Sequence, residues 1–196
     1  LPDLKGRYLP ENCRETINTI LKETYGYEQF RNLEIYDDLS KGKEKLCISQ
    51  GQLIENVILE AEKAWKGETQ VDNILLTAPT GSGKSLLFQL PAIYLGKEYN
   101  LLTIVVSPLK ALIVDQVESL QELGYMRVAY ASSDLSPEQK MEVYRQVREG
   151  EIDLFYLSPE LLLSYDIKHF VGERRIGLVV VDEAHTVTTW GKEFRV

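Results

Sequence analysis

The stretch NILLTAPTGSGKSLLF, residues 73–88, decides the fold of this chain. An apolar run leads into a glycine-containing loop, and a second apolar run follows that loop directly. Strand, loop and helix in this order are typical of a phosphate-binding loop, in which glycines let successive backbone N–H groups turn toward an anion. The N-terminus of the following helix adds its dipole at the same point. The sequence therefore predicts a nucleoside triphosphate site at residues 78–85.

Two side chains of this loop have separate predicted roles. Lys84 would place its ammonium on the β and γ phosphates of ATP, and the Ser85 hydroxyl would bind Mg²⁺. Ala78 stands where the GxxxxGK[ST] pattern has its first glycine, and a small residue satisfies the packing there. The residues expected to contact the nucleotide are Thr80, Gly81, Ser82, Gly83, Lys84 and Ser85.

Downstream of the loop, short apolar runs alternate with amphipathic stretches. Runs such as 103–106 and 178–181 lack the alternation of a half-exposed strand, which predicts a parallel sheet with helices on both faces. The fold class is therefore α/β, and ligands are expected at the carboxyl ends of the strands. The predicted strands are Asn73–Thr77, Leu102–Ser107, Arg127–Ala131, Ile152–Leu157 and Gly177–Asp182, and the helices between them are Gly83–Leu95, Leu109–Leu123 and Pro137–Glu149.

A second functional motif, Asp-Glu-Ala-His, follows the apolar run Leu178–Val181. We interpret that run as a central strand that presents carboxylates at its C-terminal end. Asp182 would hold Mg²⁺ through a water, and Glu183 would orient or deprotonate the attacking water. His185 is interpreted as a bridge between the ATP site and the rest of a motor, whereas His169 is interpreted as structural.

The first 70 residues are polar and lack the alternation of short apolar runs and amphipathic stretches that follows them. Two helices are predicted there, Asn12–Glu23 and Gln50–Trp65, the second from apolar residues at three-four spacing. The charged segment Tyr36–Lys45 between them is interpreted as a loop or a short insertion. The predicted domains are a helical region at 1–70 and an ATP-binding lobe at 71–196.

Composition excludes several protein classes. The 196 residues contain no apolar run of membrane-spanning length and no secretory leader, and two cysteines without metal-ligand spacing suit a reducing cytoplasm or nucleus. We therefore expect a soluble, unexported protein with no membrane partner. The net charge of −8 means that DNA binding would require a local basic strip or another part of the protein.

Asp-Glu-Ala-His after a phosphate-binding loop resembles superfamily 2 helicases, and four segments narrow the resemblance to RecQ helicases. Residues 184–195, AHTVTTWGKEFR, are similar to the family's aromatic-rich loop, AHCISQWGHDFRP. Residues 106–117 resemble its VSPLxxLxxDQV segment, and residues 157–161 its YxxPERL segment. Residues 25–31, YGYEQFR, resemble the start of motif 0, FGxxxFRxxQ.

The aromatic-rich loop departs from the family pattern, and four of the departures matter most. Lys192 and Glu193 replace the usual His and Asp, Thr189 replaces Gln, and Val196 stands where Pro is expected. These changes concern the loop that in the family couples single-stranded DNA to ATP hydrolysis.

The resemblance implies the RecA-like ATP-binding lobe of a 3′–5′ DNA helicase, with ATP and Mg²⁺ as cofactors and single-stranded DNA as partner. It also implies a second RecA-like lobe, carrying an arginine finger, beyond this chain. Trp190 and Phe194 would stack on bases, while Lys110, Lys192 and Arg195 would neutralise phosphates.

Motif 0 reads adenine in the family, which implicates Arg31, but its glutamine position holds Glu34. The apolar spacing after the motif's glutamine is met instead by Gln50, whose amide can donate to and accept from adenine. Gln52 is the alternative, and a solvent-facing helix-cap glutamine is the third interpretation.

Two other functions remain open at this point. The first is another superfamily 2 translocase, which acts on RNA or on duplex DNA. The second is a nucleotide-switched interaction module without motor activity. The acidic charge favours the module, and the intact Lys84, Ser85, Asp182 and Glu183 favour a motor.

Overall fold

The structure, a computed structural model, describes residues 13–36, 45–76 and 81–183. Its contacts group into two compact units, Leu1–Tyr94 and Leu95–Val196. The predicted domain division after residue 70 stays a prediction. The helices and strands are α1 (Glu15–Tyr25), β1 (Asn32–Tyr36), β2 (Lys45–Ser49), α2 (Gln50–Trp65), α3 (Leu86–Tyr99), β3 (Leu102–Val106), α4 (Lys110–Glu122), β4 (Val128–Ala131), α5 (Pro137–Arg148), β5 (Leu154–Leu157), α6 (Pro159–Ser164), α7 (Ile167–Val171) and β6 (Ile176–Val181).

In the first unit, α2 has the bounds that the sequence predicts, because both of its determinants are local. Its apolar residues repeat at helical spacing, and the Ser49 hydroxyl caps the first turn by accepting a hydrogen bond from Gly51 N. The predicted loop at 36–45 is bounded by strands that the sequence analysis missed: β1 and β2 pair antiparallel, Asn32 with Ser49 and Tyr36 with Lys45. Residues 37–44 lie outside the described residues.

Arg14, just before α1, fastens that helix to α2. Its Nε lies 3.1 and 3.0 Å from the two carboxylate oxygens of Glu55, and its Nη1 lies 2.7 Å from Glu62 Oε1. Its guanidinium also stacks 4.8 Å above the ring centre of Tyr94. Burial alone would lower the pKa of Arg14, but these partners raise it above its ordinary value. Removing one member would leave a buried charge uncompensated, so the cluster holds α1 against the middle and the C-terminal part of α2.

The second unit is built on a four-stranded sheet with the order β4-β5-β3-β6, in which all neighbours run parallel. Two faces of this sheet are covered. On one face, Phe155 of β5 packs against Tyr144 of α5 and Phe170 of α7. On the other, Tyr156 reaches Gln116 of α4 through its hydroxyl. The predicted α/β fold with a parallel sheet and helices on both faces is confirmed.

Two predicted strands need correction. Residues 73–76 of the predicted strand Asn73–Thr77 are irregular, because an apolar run becomes a strand only where a partner satisfies its backbone groups. β6 is predicted as a central strand, but in the described part of the chain it has a single neighbour, β3. Its position at the edge leaves Val179 58% and Val181 44% exposed.

The predicted helix Gly83–Leu95 forms later in the chain, as α3 (Leu86–Tyr99). The remaining predicted elements form within three residues of their expected bounds, because their apolar runs are local. Within the described ranges, every helix is too short or too polar to cross a bilayer.

Candidate nucleotide and nucleic-acid site

The described part of the phosphate loop, residues 81–85, contains two glycines in a backbone conformation that other residues rarely adopt. Gly81 and Gly83 have φ angles of 82° and 79°, in the left-handed region where a side chain is strained. Helix α3 follows at once, and its first turn starts on the loop, since Leu86 N donates to Gly83 O at 3.2 Å. The loop therefore enters a helix N-terminus, as the sequence predicts.

Two polar groups of this loop are available to an anion. The Ser82 hydroxyl is buried and has no hydrogen-bond partner in the described structure. A buried hydroxyl without a partner is uncommon in a folded protein, and this one lies in the loop that the sequence assigns to phosphate. Within the same described ranges, the Lys84 ammonium takes part in no ion pair. The loop thus fits the phosphates of a nucleotide.

Gln50 connects the phosphate loop to motif 0. Its side chain is only 2% exposed, and its Nε2 lies 3.3 Å from Ser82 O and 3.4 Å from Gly83 O. Its Oε1 accepts a hydrogen bond from Arg31 N at 3.2 Å, and its own backbone N–H donates to Arg31 O at 2.9 Å. The glutamine that sequence spacing selects as the adenine reader is therefore bonded to the loop that would hold the phosphates.

The alternative glutamine, Gln52, has a different partner. Its Oε1 accepts a hydrogen bond from Ser49 N at 3.0 Å and completes the capping box of α2. Between the two glutamines, Gly51 allows a close approach that the sequence analysis missed. A Cβ built there would lie 2.4 Å from Cys13 Sγ and 2.7 Å from the ring of Phe30. Only glycine lets motif 0 pack against the start of α2.

In the second unit, the DEAH carboxylates emerge at the carboxyl end of β6, as predicted. Asp182 continues the strand, because its N–H donates to Val106 O at 2.9 Å. Its Oδ1 accepts a hydrogen bond from Glu183 N at 2.9 Å. Glu183 has a φ of 50°, a conformation that costs an L-residue about 1–2 kcal/mol. Such strain in a non-glycine residue concentrates at functional sites.

Sequence reasoning missed Gln116, which lies beside the same carboxylate. The residue is on α4, and its Nε2 is 3.4 Å from Asp182 Oδ2. The DQV pattern singled out the tripeptide, but no spacing in the sequence indicates which group its side chain meets.

Lys110, the only residue of the predicted DNA surface within the described ranges, starts α4. Its ammonium lies 2.8 Å from Asp134 Oδ1 and 2.6 Å from Ser133 Oγ. The hydrogen bond from Lys110 holds the pKa of Asp134 below its usual range. The cation expected to neutralise a DNA phosphate is thus paired with a carboxylate of its own unit.

For the other predicted site residues, the structure gives only their exposure or does not describe them. The Arg31 side chain is exposed, and Ser85 is half-buried at the start of α3. In the described ranges, no group of three or more His, Cys, Asp or Glu side chains is arranged to hold a metal ion. Six predicted site residues lie outside the described residues: Thr80, His185, Trp190, Lys192, Phe194 and Arg195.

Comparison with known proteins identifies the family. The family model for the DEAD/DEAH box helicase matches residues 52–196. The ATP-dependent DNA helicase RecQ of Haemophilus influenzae is 30% identical over 93% of this chain and 24% of its own length. The RecQ of Synechocystis is 33% identical over 93% of this chain and 32% of its own length. The chain thus spans about a quarter to a third of these relatives.

A solved structure supports the fold independently. The DUF1998 helicase MrfA, in a crystal structure bound to DNA and AMPPNP, superposes with a TM-score of 0.53 at 22% identity. The match covers 92% of this chain and 22% of that protein. Since the helicase family model covers more than half of the sequence, the chain belongs to the DEAD/DEAH box helicases, and the relatives confirm its resemblance to the RecQ helicases.

Proposed function

We propose that this chain is the ATP-binding lobe of a RecQ-type, ATP-dependent DNA helicase. The observation that carries the proposal is the phosphate loop: two glycines with positive φ, a buried Ser82 hydroxyl without a partner and the Lys84 ammonium without an ion pair in the described structure. Backbone donors and a free cation at the start of a helix suit the β and γ phosphates of a nucleoside triphosphate.

The proposal assigns a separate task to each part of the ATP site. Backbone N–H groups of residues 80–85 hold the phosphates, and Lys84 offsets their charge. Ser85 and Asp182 are the proposed ligands of Mg²⁺, a hard cation that prefers oxygen and would offset the charge developing on the phosphates. Glu183 orients or deprotonates the attacking water, and His185 links the site to the rest of the motor.

The nucleotide's base is assigned to motif 0. Gln50 and Arg31 are the proposed contacts to adenine. In the conformation described, the NH₂ group of Gln50 donates to the carbonyls of Ser82 and Gly83, so donating to adenine as well would require it to weaken or leave one of these bonds. Binding of the base would therefore alter the loop that holds the phosphates.

DNA is the proposed polymer partner. The RecQ relatives are named DNA helicases, and the structural neighbour was solved with DNA. Trp190 and Phe194 would stack on bases of a single strand, and Lys110, Lys192 and Arg195 would contact its phosphates. A second RecA-like lobe would supply the arginine finger, which typically contributes about 10³–10⁵ in rate. This chain alone is therefore expected to bind nucleotide and to hydrolyse it slowly.

The decisive experiment compares polymers in the full-length protein that carries this chain. We expect single-stranded DNA to stimulate ATP hydrolysis strongly, and duplex DNA and RNA to do so weakly. Stimulation by RNA or duplex DNA alone would favour another superfamily 2 translocase. Nucleotide binding without stimulation by any polymer would favour the interaction module. Lys84→Ala is the negative control, and a turnover that survives it would reject the assigned site.

A second variant tests the aromatic-rich loop. Trp190→Ala removes a base-stacking surface, which is expected to contribute about 1–3 kcal/mol per base. DNA stimulation should fall while nucleotide affinity stays unchanged. Stimulation equal to that of the wild type would remove Trp190 from the DNA surface.

A further inference from the structure

Gln116 of α4 lies between two groups of the same unit, and both ends of its amide are engaged. Its Oε1 is 2.9 Å from the Tyr156 hydroxyl, and its Nε2 is 3.4 Å from Asp182 Oδ2. An ionised carboxylate can only accept hydrogen bonds, so the NH₂ group must face Asp182 and the carbonyl oxygen must face the hydroxyl. The chemistry of the two partners thus fixes the orientation of the amide.

The position from which Gln116 acts is rigid. Tyr156 is fully buried on β5, an inner strand of the sheet, so its hydroxyl has little freedom to move. The backbone of Gln116 belongs to the 13-residue helix α4, and the next residue, Val117, is buried. The bond from Tyr156 therefore holds the glutamine side chain in one rotamer, with its NH₂ group directed at the end of β6.

The carboxylate that receives this bond is fastened on both oxygens. Asp182 Oδ1 accepts from Glu183 N at 2.9 Å, and Oδ2 accepts from Gln116. Two donors on two different oxygens fix the plane of a carboxylate as well as its position. The backbone donor comes from the adjacent residue in the chain, whereas Gln116 approaches from a separate element.

An amide is also a suitable hydrogen-bond partner for a carboxylate that binds a metal ion. A lysine or arginine at this point would donate a hydrogen bond but would neutralise the charge that attracts a divalent cation. An amide donates the bond and leaves the negative charge for the metal. Outer partners of this kind orient the ligating carboxylate, and their loss typically lowers metal affinity or activity by about 10–100-fold.

We propose that Gln116, held by Tyr156, is a positioning residue that orients the Asp182 carboxylate for the divalent cation. The inference rests on the proposed function, because it assumes that Asp182 binds Mg²⁺. In this role Gln116 acts through Asp182.

Three variants divide the chain of contacts into its parts. Gln116→Leu removes the donor to Asp182 at similar size. Gln116→Lys retains a donor and adds a positive charge. Tyr156→Phe removes the hydroxyl and leaves Gln116 in place. Gln121→Leu is the matched control, because Gln121 is on the same helix and its side chain has no hydrogen bond in the described structure.

Metal binding without turnover is the first readout. Mn²⁺ is titrated into the ADP complex of the full-length protein, and free Mn²⁺ is measured by electron paramagnetic resonance. Gln116→Leu should raise the Mn²⁺ dissociation constant about 10-fold, at the lower end of the range for such partners because the bond is long. Gln116→Lys should raise it further, and Tyr156→Phe should raise it about two- to fivefold. Affinity for ADP without metal should not change.

The Mg²⁺ concentration for half-maximal ATP hydrolysis is the second readout, and it should shift in the same order. A merely structural role would lower thermal stability without moving the metal requirement, so unfolding is measured for every variant. Equal Mn²⁺ affinity in the wild type, Gln116→Leu and Gln121→Leu would overturn the inference.

Asp182→Asn distinguishes a failure of this inference from a failure of the proposed function. If this variant loses metal-dependent hydrolysis while Gln116→Leu behaves as wild type, the inference fails and the proposed function stands. If Asp182→Asn hydrolyses ATP with the wild-type metal requirement, the proposed function itself fails.

Discussion

The phosphate loop and the turn at Asp182 and Glu183 (called the turn below) serve the same proposed ATP site, but their backbones differ in which residues have a positive φ. In the loop, the positive φ angles belong to Gly81 and Gly83, where they carry no steric cost. In the turn, the positive φ belongs to Glu183, where it does. The difference follows from which groups act. Backbone N–H groups bind phosphates, so the loop does without side chains, whereas the turn must retain the carboxylate that the reaction needs.

Both regions are also held by a glutamine from a different element. Gln50 donates to the carbonyls of Ser82 and Gly83 and is anchored by Arg31 N, whereas Gln116 donates to Asp182 and is anchored by the Tyr156 hydroxyl. In the first case the amide fixes backbone, and in the second it fixes a side chain. The comparison predicts that the loop determines binding and that the turn determines hydrolysis.

The largest expected effect tests that division directly. Glu183→Gln retains the size of the side chain but removes the base, so kcat for ATP should fall about 10²–10⁴-fold with nucleotide affinity unchanged. Lys84→Ala removes a charged hydrogen bond to the phosphates, so nucleotide affinity should fall about 10–100-fold. Steady-state kinetics and titration with a fluorescent nucleotide measure the two quantities.

The division would break if the two variants behaved alike. Equal losses of nucleotide affinity in Glu183→Gln and Lys84→Ala would mean that the turn contributes to ground-state binding. Asp182→Glu is a further control for the turn. It keeps the negative charge but displaces the carboxylate by one methylene, so it separates the position of the charge from its presence.

Structural features that depend on neighbouring residues could be predicted from the sequence. The loop, the helix after it and the carboxylates after an apolar run are local patterns, and α2 forms with the predicted bounds because Ser49 caps it. The pairing of β1 with β2 was missed, since its strands are short and a charged segment separates them.

Contacts between distant residues could not be predicted. Gln116 and Asp182 are 66 positions apart, and Gln50 and Ser82 are 32 apart. Strand formation also depends on partners. Residues 73–76 have the composition of a strand and are irregular, and the apolar β6 is exposed at an edge, because a ladder needs a neighbour that local sequence does not specify.

The next prediction separates the two glutamines of α2. Gln50→Ala removes two hydrogen bonds to the loop carbonyls, so nucleotide affinity should fall by up to about 30-fold, at about 1 kcal/mol for each bond. The preference for adenine over guanine nucleotides should fall as well if Gln50 reads the base. Competition between ATP and GTP for a fluorescent nucleotide measures both effects.

Gln52→Ala is the matched control for this prediction. It removes the capping-box bond to Ser49 N, which should lower the free energy of unfolding by about 0.5–1 kcal/mol and leave nucleotide preference unchanged. A loss of adenine preference in Gln52→Ala but not in Gln50→Ala would reverse the assignment.

A smaller effect tests the backbone difference itself. Glu183→Gly and Glu183→Ala both remove the side chain, so the difference between them isolates the left-handed backbone. We expect the glycine variant to be more stable by about 1 kcal/mol. The same sign is expected at Gly81: Gly81→Ala should lower stability by a similar amount, because a Cβ there meets open space and only the backbone strain remains. Urea unfolding measures both, and equal stability of the two Glu183 variants would show that the turn carries no strain.

The smallest effect concerns Lys110, which we compare with Lys84 because both lysines are predicted to contact phosphates. Lys84 has no ion pair among the described residues, whereas Lys110 is paired with Asp134 on an exposed surface. A DNA phosphate must therefore compete with Asp134 for Lys110. Because Lys110 lowers the pKa of Asp134, that carboxylate loses its charge only at a pH below its ordinary range, and the competition persists throughout neutral pH.

Asp134→Asn should accordingly raise affinity for single-stranded DNA, by about two- to fivefold at low salt, since exposed pairs are weak. The gain should shrink as salt screens both interactions, and it should be constant between about pH 6 and 8. Fluorescence anisotropy with a labelled oligonucleotide measures it, and Glu138→Gln, which removes a nearby carboxylate that bonds Ser136 instead, is the control. Equal gains in the two variants would reflect net charge alone and would remove Lys110 from the DNA surface.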